Sequence, residues 1–361
     1  MGPATKHHYV RPTRGGQASM SQLRRDPVID RWVVVAPERG ARPQEFAPDP
    51  GEDVRPDACP FCEGNERMTP PEITAIRNGT EPDKPGWYVR VVPNKFPALR
   101  VEGELGPTDN GLYRALNGIG AHEVIIESPN HADDLAFLSE EQIIRIISVC
   151  RQRVEDLQRD ARFRHVAVFR NHRHAAGATL RHPHSQVIAL PIIPNLVYAK
   201  LVGAAAYHDR TGRCIFCDII AQELDIGDRM ILATDHFVAL APYASAFAYS
   251  STIYPRRHCH EMTTLTVEEQ ADLAGVLRRL LMSYRSAAFN PPYNLIYQTA
   301  PNVVPGPESP PQSDKLDLHY HWHIEVTPRI SAASGLERGT GFYLNPVAPE
   351  EAAADLRDNL L

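Results

Sequence analysis

No apolar run in the 361-residue chain approaches the roughly 20 residues that a bilayer-spanning helix needs. No membrane partner is therefore expected. Residues 1–27 are polar and basic and lack the apolar stretch of a secretory signal, and residues 1–20 read as a disordered tail. A basic excess is also missing. Lys and Arg number 38 against 44 Asp and Glu, for a net charge of −6, which argues against a general nucleic-acid binder. It leaves room for local arginine clusters around a phosphate. Cysteine is scarce, with six residues. Without an export signal these do not read as a disulfide framework, and a cytoplasmic location is expected. Neither a G-x-G-x-x-G nor a Walker loop occurs between a strand and a helix, so those two nucleotide-binding folds are unsupported.

Four of the cysteines fall into two C-x-x-C pairs, Cys59 with Cys62 and Cys214 with Cys217, while Cys150 and Cys259 stand alone. In a chain with 16 histidines, such pairs read as zinc sites. A redox pair is the alternative, but neither lies in a clear βαβ context. The most informative stretch is Gly177-Ala178-Thr179-Leu180-Arg181-His182-Pro183-His184-Ser185-Gln186, followed by the apolar Val187-Ile188-Ala189-Leu190. An H-x-H entering an apolar run reads as a strand whose alternate residues share a face. One histidine could then hold a metal while the other attacks an electrophile. The small residues from Gly177 to Thr179 would let a phosphate approach the backbone. Taken alone, the motif reads more readily as an exposed His-Pro turn; the rest of the chain changes that balance.

The rest of the chain repeats itself. Residues 28–46 read as a strand running into a turn with Arg39 and Arg42, whose planar forks suit phosphate. A Pro/Asp/Glu-rich loop leads to Cys59-Pro60-Phe61-Cys62. Strands follow at Trp87–Pro93, with its exit Asn94-Lys95-Phe96, and at His122–Ser128, ending at His131. Ser139 caps a helix with acidic residues in its first turn, and Ile143, Ile146, Ile147 and Cys150 recur at helical spacing. A strand at Val166–Asn171 leads into the H-x-H. The second half gives Cys214-Ile215-Phe216-Cys217, Asp235–Leu240, a strand ending at His258, a helix start at Leu265, Asn294–Tyr297 and His321-Trp322-His323. The interval from His258 to Leu265 is seven, as is that from His131 to Leu138. This order points to a duplication. Strands joined by short connections, with one main helix per half, predict an α+β fold with a largely antiparallel sheet and flanking helices. The boundaries expected are 21–200 and 201–361.

The duplication supplies one metal-ligand set per half: Cys59, Cys62, His131 and His182, and Cys214, Cys217, His258 and His321. Two thiolates and two imidazoles suit tetrahedral Zn²⁺ and leave no open position, so two structural zinc ions per chain are expected. His122, His236, His260 and His319 lack this support and read as structural or exposed.

These motifs, in this order, resemble the galactose-1-phosphate uridylyltransferase family, a branch of the histidine-triad superfamily. The family's H-P-H-G-Q stands here as His182-Pro183-His184-Ser185-Gln186. The Arg39-x-x-Arg42-Pro43 turn, Val92-Pro93-Asn94-Lys95-Phe96, Ser128-Pro129-Asn130-His131 and Asn171 also match. The resemblance implies a homodimer of duplicated histidine-triad-like halves and a ping-pong reaction. In it His184 takes a uridylyl group from UDP-glucose and passes it to galactose 1-phosphate. It further implies that Gln186 holds a phosphoryl oxygen and that Asn171, Gly177 and Thr179 lie along the diphosphate. Arg39, Arg42 and Asn94 would lie on the nucleotide side. Glu337, Thr340 and Gly341 stand in a segment like the family's hexose-binding region. Ser185 replaces the motif glycine and is similar to the branch that includes ADP-glucose phosphorylases. An ADP- or GDP-sugar phosphorylase is therefore the alternative, and a non-catalytic, zinc-stabilised nucleotide-binding protein the third reading. Some family members carry a second-half site of one glutamate and three histidines. Lys200 and Gln298 stand near two of those places here, which with the second C-x-x-C favours zinc over iron. His323 lacks the small-residue approach and is expected not to be a nucleophile.

Overall fold

The structure, a computed structural model, describes residues 20–41, 55–303, 309–330 and 334–360. Arg42 and the tail expected over residues 1–20, Met20 excepted, lie outside them. The strands of the first half are β1 (Gln22–Arg25), β2 (Trp32–Val35), β3 (Thr74–Arg77), β4 (Trp87–Pro93), β5 (Thr108–Asn110), β6 (Tyr113–Ala115), β7 (Ala121–Ile126), β8 (His165–His172) and β9 (His184–Leu190). Those of the second are β10 (Met230–Ala233), β11 (Phe237–Leu240), β12 (Ser251–Pro255), β13 (Tyr293–Gln298), β14 (His323–Pro328) and β15 (Tyr343–Asn345). The helices are α1 (Glu140–Leu157), α2 (Asn195–Thr211), α3 (Ile215–Ile226), α4 (Val267–Ala287), α5 (Leu316–His319), α6 (Gly335–Thr340) and α7 (Pro349–Asp358).

A ten-stranded sheet runs β3-β4-β7-β9-β8-β13-β14-β12-β11-β10, with every pairing antiparallel. Read from the two edges, its halves have the same order. β3, β4, β7, β9 and β8 correspond to β10, β11, β12, β14 and β13. The seam is the β8–β13 pairing, where Asn171 stands opposite Asn294. The duplication in the sequence is thus a twofold repeat within one sheet, and the α+β fold is as expected. A smaller sheet, β1-β2-β15, sets the C-terminal strand parallel to β2. No helix among the described residues is long and apolar enough to cross a membrane.

One face of the large sheet is covered by α1 and α4, which pack on each other. Both helices start at side-chain caps. The Gln142 backbone N–H donates to Ser139 Oγ at 3.2 Å. Thr266 and Glu269 close a capping box, with Glu269 N–H to Thr266 Oγ1 at 3.2 Å and Thr266 N–H to Glu269 Oε2 at 2.9 Å. Ile143, Ile147 and Val154 of α1 meet Val168, Val187 and Ile125 of the sheet in the main core. Each such side chain, fully buried, contributes about 1.5–3 kcal/mol.

The opposite face is asymmetric. Over the second half, Leu201 and Ala204 of α2 and Ile215, Phe216 and Ile220 of α3 pack on Val238, Leu240 and Tyr254. Over the first half, among the described residues, there is only a small cluster of Trp87, Val92, Val124 and Ile126, with Phe61 against it. The expectation of one main helix per half needs correcting here: α2 lies between the repeats, and α3 grows from the second C-x-x-C where the first C-x-x-C stands in a turn. Glycines in the left-handed conformation end both, Gly212 at φ 69° and Gly227 at φ 79°.

Candidate active site

His184 is the first residue of β9 and His182 lies just before the strand. Along β9, His184, Gln186 and Ile188 point to the open face, while Val187 and Ala189 join the helix-covered core. His184 Nδ1 lies 2.8 Å from the carbonyl oxygen of His182. A carbonyl can only accept, so the proton of the neutral ring sits on Nδ1 and Nε2 carries the lone pair. The imidazole is buried, with Phe61 5.3 Å away between ring centroids. Burial pushes its pKa down to about 4; the bond to His182 opposes this and the charge of Arg170 reinforces it. At neutral pH His184 is therefore an uncharged imidazole.

The ligand atoms of Cys59, Cys62, His131 and His182 all lie within 4.8 Å of one another, as do those of Cys214, Cys217, His258 and His321. Cys62 Sγ is 3.4 Å from His131 Nδ1 and 3.5 Å from His182 Nδ1. Cys217 Sγ is 3.2 Å from His258 Nδ1 and 3.6 Å from His321 Nδ1. In three of the four histidines the far nitrogen meets a backbone carbonyl: His182 Nε2 to Ser128 O at 2.7 Å, His258 to Asp317 O at 2.7 Å and His321 to Pro255 O at 2.9 Å. These bonds put the proton on Nε2 and aim the Nδ1 lone pairs inward, as metal-binding histidines require. Each group could hold one metal ion. The two C-x-x-C pairs differ in setting. The first lies in a turn whose carbonyls, Pro56 O and Cys59 O, accept from Asn65 Nδ2 at 3.0 and 2.9 Å. The second opens α3, with Cys214 at its N-cap.

Around His184, Gln186 Oε1 lies 2.8 Å from His122 Nε2, and Asn94 Nδ2 lies 3.1 Å from the same nitrogen. His122, expected to be structural or merely exposed, is thus drawn into the site. A lone histidine in a strand carried no signal of this. On the seam, Asn294 Nδ2 donates to Asn171 Oδ1 and to Ala176 O, both at 2.8 Å. Gly177 follows at φ 95°, and Thr179 is exposed. Arg39 lies in a 3-10 helix, Pro37–Ala41, with its side chain exposed.

Ser185 requires a correction. It points to the helix-covered face, away from His184 and Gln186, and its Oγ donates to Glu127 Oε1 at 2.5 Å. Glu127 in turn pairs with Arg170, and all three are buried. Strand alternation places the Ser185 side chain on the opposite face of the sheet from His184 and Gln186. The segment of Glu337, Thr340 and Gly341 is likewise engaged locally. Glu337 closes a capping box with Ser334 on α6, Thr340 Oγ1 donates to Leu336 O at 2.7 Å, and Gly341 is the left-handed C-cap. Among the described residues, no hydrogen bond ties this segment to β9.

The N-terminal domain pattern of galactose-1-phosphate uridyl transferase matches residues 13–194, and the C-terminal domain pattern matches residues 202–342. The chain belongs to this family. It is a nucleotidyltransferase. An ADP-glucose phosphorylase of Arabidopsis thaliana is 33% identical over 346 residues, covering 93% of this chain and 92% of that protein. A galactose-1-phosphate uridylyltransferase of Thermotoga maritima is 26% identical over 346 residues, covering 94% and 98%. A crystal structure of an Arabidopsis ADP-glucose phosphorylase with bound ADP-glucose is similar at a TM-score of 0.79 and 31% identity, covering 94% of this chain and 100% of that one.

In this chain the second half retains the imprint of the first. His323 Nδ1 lies 2.9 Å from His321 O, the arrangement of His184 on His182. Its Nε2, however, faces Lys200 Nζ of α2 at 3.0 Å. Lys200 also donates to Glu325 Oε1 at 2.7 Å, and Gln298 Nε2 donates to Glu325 Oε2 at 2.9 Å. Phe216 and Tyr254 close over the ring, at 5.4 and 5.2 Å between centroids. The lone pair that His184 keeps free is taken up in His323.

Proposed function

We propose that this chain moves a nucleotidyl group from a nucleotide sugar to a phosphate-bearing acceptor through a covalent bond to His184. The observation that carries this reading is the His184 imidazole: buried, neutral, anchored at Nδ1 and free at Nε2. The Nε2 lone pair attacks the α-phosphorus, a P–N bond forms, and the bond to the sugar-phosphate oxygen breaks. Sugar 1-phosphate leaves as an anion and needs no strong general acid. The ring keeps its Nδ1 proton, so the intermediate is a cationic nucleotidyl-imidazole whose N–H stays on the His182 carbonyl. An acceptor phosphate oxygen then attacks the same phosphorus and returns the neutral ring. What the protein must add is charge stabilisation and position. Gln186 supplies an amide donor to a phosphoryl oxygen. Asn171, Gly177 and Thr179 line the diphosphate, and Arg39 and Asn94 lie on the nucleotide side; Arg42, expected beside them, falls outside the described residues. Ser185 contacts no substrate in this reading, and Glu337, Thr340 and Gly341 are not needed for the covalent step.

In the first reading the donor is UDP-glucose and the acceptor galactose 1-phosphate, as the family and its uridylyltransferase relatives support. A second reading has adenylyl transfer from ADP-glucose to inorganic phosphate. It is favoured by the higher identity to the Arabidopsis phosphorylase and by the serine at position 185. Both ligand groups are assigned to zinc. A tetrahedron with Zn–S near 2.3 Å and Zn–N near 2.05 Å has an S···N edge of about 3.6 Å, and the separations here run from 3.2 to 3.6 Å. Zinc so held would brace the segments around His182 and His321. Thiols kept for metal fit a reducing, cytoplasmic setting, and a homodimer completes the proposal.

The test uses UDP-glucose and ADP-glucose, each labelled at the α-phosphate. One of them labels the wild type and not His184→Ala, and the label leaves on addition of galactose 1-phosphate or of phosphate. The acceptor that discharges it decides between the two readings. No label from any nucleotide sugar would return the non-catalytic binding protein.

A further inference from the structure

His122 lies on β7, on the face that carries Gln186. In the β7–β9 pairing Val124 stands opposite Gln186 and His122 opposite Ile188, so His122 and Gln186 are diagonal neighbours. The two ring nitrogens of His122 have different partners. Nδ1 is 3.1 Å from the backbone nitrogen of Ala98. A backbone N–H only donates, so Nδ1 accepts and the proton of the neutral ring sits on Nε2. Two groups adjoin Nε2: Gln186 Oε1 at 2.8 Å and Asn94 Nδ2 at 3.1 Å. The first accepts; the second is a donor, and Asn94 Oδ1 is itself taken by the Phe96 N–H at 2.9 Å. The Nε2 proton therefore goes to Gln186.

A glutamine amide has an accepting end and a donating end, and only the donating end can hold an anionic phosphoryl oxygen. We propose that His122 is a positioning residue: with its tautomer set by the Ala98 N–H, it clamps Gln186 Oε1 and leaves the Gln186 NH₂ to the transferred phosphoryl group. Without the clamp the amide is free to turn its oxygen toward the phosphate, where repulsion replaces a hydrogen bond. The same 94–98 turn carries Asn94, so the turn proposed to lie along the nucleotide also sets the orientation of the phosphoryl donor. This inference rests on the nucleotidyl-transfer reading of the site.

The experiment is single-turnover nucleotidylation of His184 in the full-length metal-loaded enzyme. The donor is whichever of UDP-glucose and ADP-glucose labels the wild type. The variants are His122→Ala, His122→Gln, Gln186→Ala and the double variant His122→Ala with Gln186→Ala. Removing a partner that orients a functional group costs on the order of 10- to 100-fold. His122→Ala is expected to slow covalent-bond formation by that factor while the apparent Kd for the donor changes little. His122→Gln, whose amide nitrogen can stand near the place of Nε2, recovers most of the rate. In the Gln186→Ala background, loss of His122 has no further effect, because both act through one group. Additive losses in the double variant, or a wild-type rate in His122→Ala, overturn the inference. If the wild type takes no label from either donor, the nucleotidyl-transfer reading itself has failed, which the wild type shows before any variant is compared.

Discussion

Lys200 Nζ lies 3.0 Å from His323 Nε2, the atom that corresponds to the Nε2 proposed as nucleophile in His184. The two imidazoles are anchored alike, each by Nδ1 on the carbonyl two residues earlier. What separates them is α2, which lies over the second half of the sheet and not the first. Duplication supplied two candidate nucleophiles, and an added helix capped one of them.

The first prediction follows from that difference. His184→Ala should lower turnover by on the order of 10⁴-fold or more, the scale seen when a covalent nucleophile is removed, and should abolish the nucleotidyl label. His323→Ala should keep the label. Lys200→Met removes the ammonium partner of Glu325 and should destabilise the fold by about 1.5–3 kcal/mol, read as a lower urea midpoint, while labelling of His184 persists. Labelled protein recovered from His184→Ala would contradict the asymmetry.

The metal sites give the second prediction. Elemental analysis should find close to two zinc ions per chain, and Cys59→Ser and Cys214→Ser should each remove one. Both should lower Tm, since binding energy at a structural zinc site is folding energy. Activity should separate them. His182 both belongs to the first candidate ligand group and anchors His184 by its carbonyl, so Cys59→Ser should cost at least about 10-fold in kcat. Cys214→Ser acts on the half without a free nucleophile and should cost mainly stability. Equal kinetic losses in the two variants would detach the first metal from the catalytic geometry.

Much of this was legible in the letters. The paired C-x-x-C units and the recurring histidines named both ligand groups, because spacing that repeats in two halves is hard to produce otherwise. The sheet class followed from strands on short connections. α2 was missed because it occurs once, between the repeats, and α3 because the C-x-x-C that opens it stands in a turn in the first half. His122 was missed because orienting an amide leaves no pattern in a sequence; it becomes visible only through the diagonal β7–β9 contact and the Ala98 N–H. Ser185 is a different case. Strand periodicity alone puts it on the opposite face from its neighbours His184 and Gln186, yet its place inside a catalytic motif made it look like a substrate contact.

Ser185 therefore yields the third prediction. Ser185→Ala leaves Glu127 Oε1 without its hydroxyl donor, and an unsatisfied buried acceptor costs about 1–3 kcal/mol. Glu127→Ala leaves Arg170 buried without its carboxylate and should cost about 3–5 kcal/mol. Denaturant unfolding measures both. The acceptor that discharges the covalent intermediate should be the same in Ser185→Gly as in the wild type, because the side chain faces the helices. A switch between phosphate and galactose 1-phosphate in Ser185→Gly would show that this serine selects the substrate after all.

The fourth prediction concerns the loop between β8 and β9, which the proposed function sets along the diphosphate. Its backbone is unusual at two places: Arg173 at φ 69° and Gly177 at φ 95°. It is tied to the seam between the halves by Asn294, which donates to both Asn171 Oδ1 and Ala176 O. A Cβ at position 177 would come within 3.4 Å of Asn171 Nδ2 and would have to adopt a left-handed conformation. Gly177→Ala should therefore cost about 1 kcal/mol or more of stability, and it should displace the Asn171 amide from the diphosphate. Asn294→Ala leaves the glycine alone but removes both ties. If the seam positions this loop, the two variants should raise KM for the nucleotide sugar together, by roughly the tenfold that 1.4 kcal/mol of lost binding represents. Steady-state kinetics would decide this. Asn294→Ala with unchanged KM, beside a Gly177→Ala with raised KM, would confine the effect to the glycine and remove the second half from any part in binding substrate.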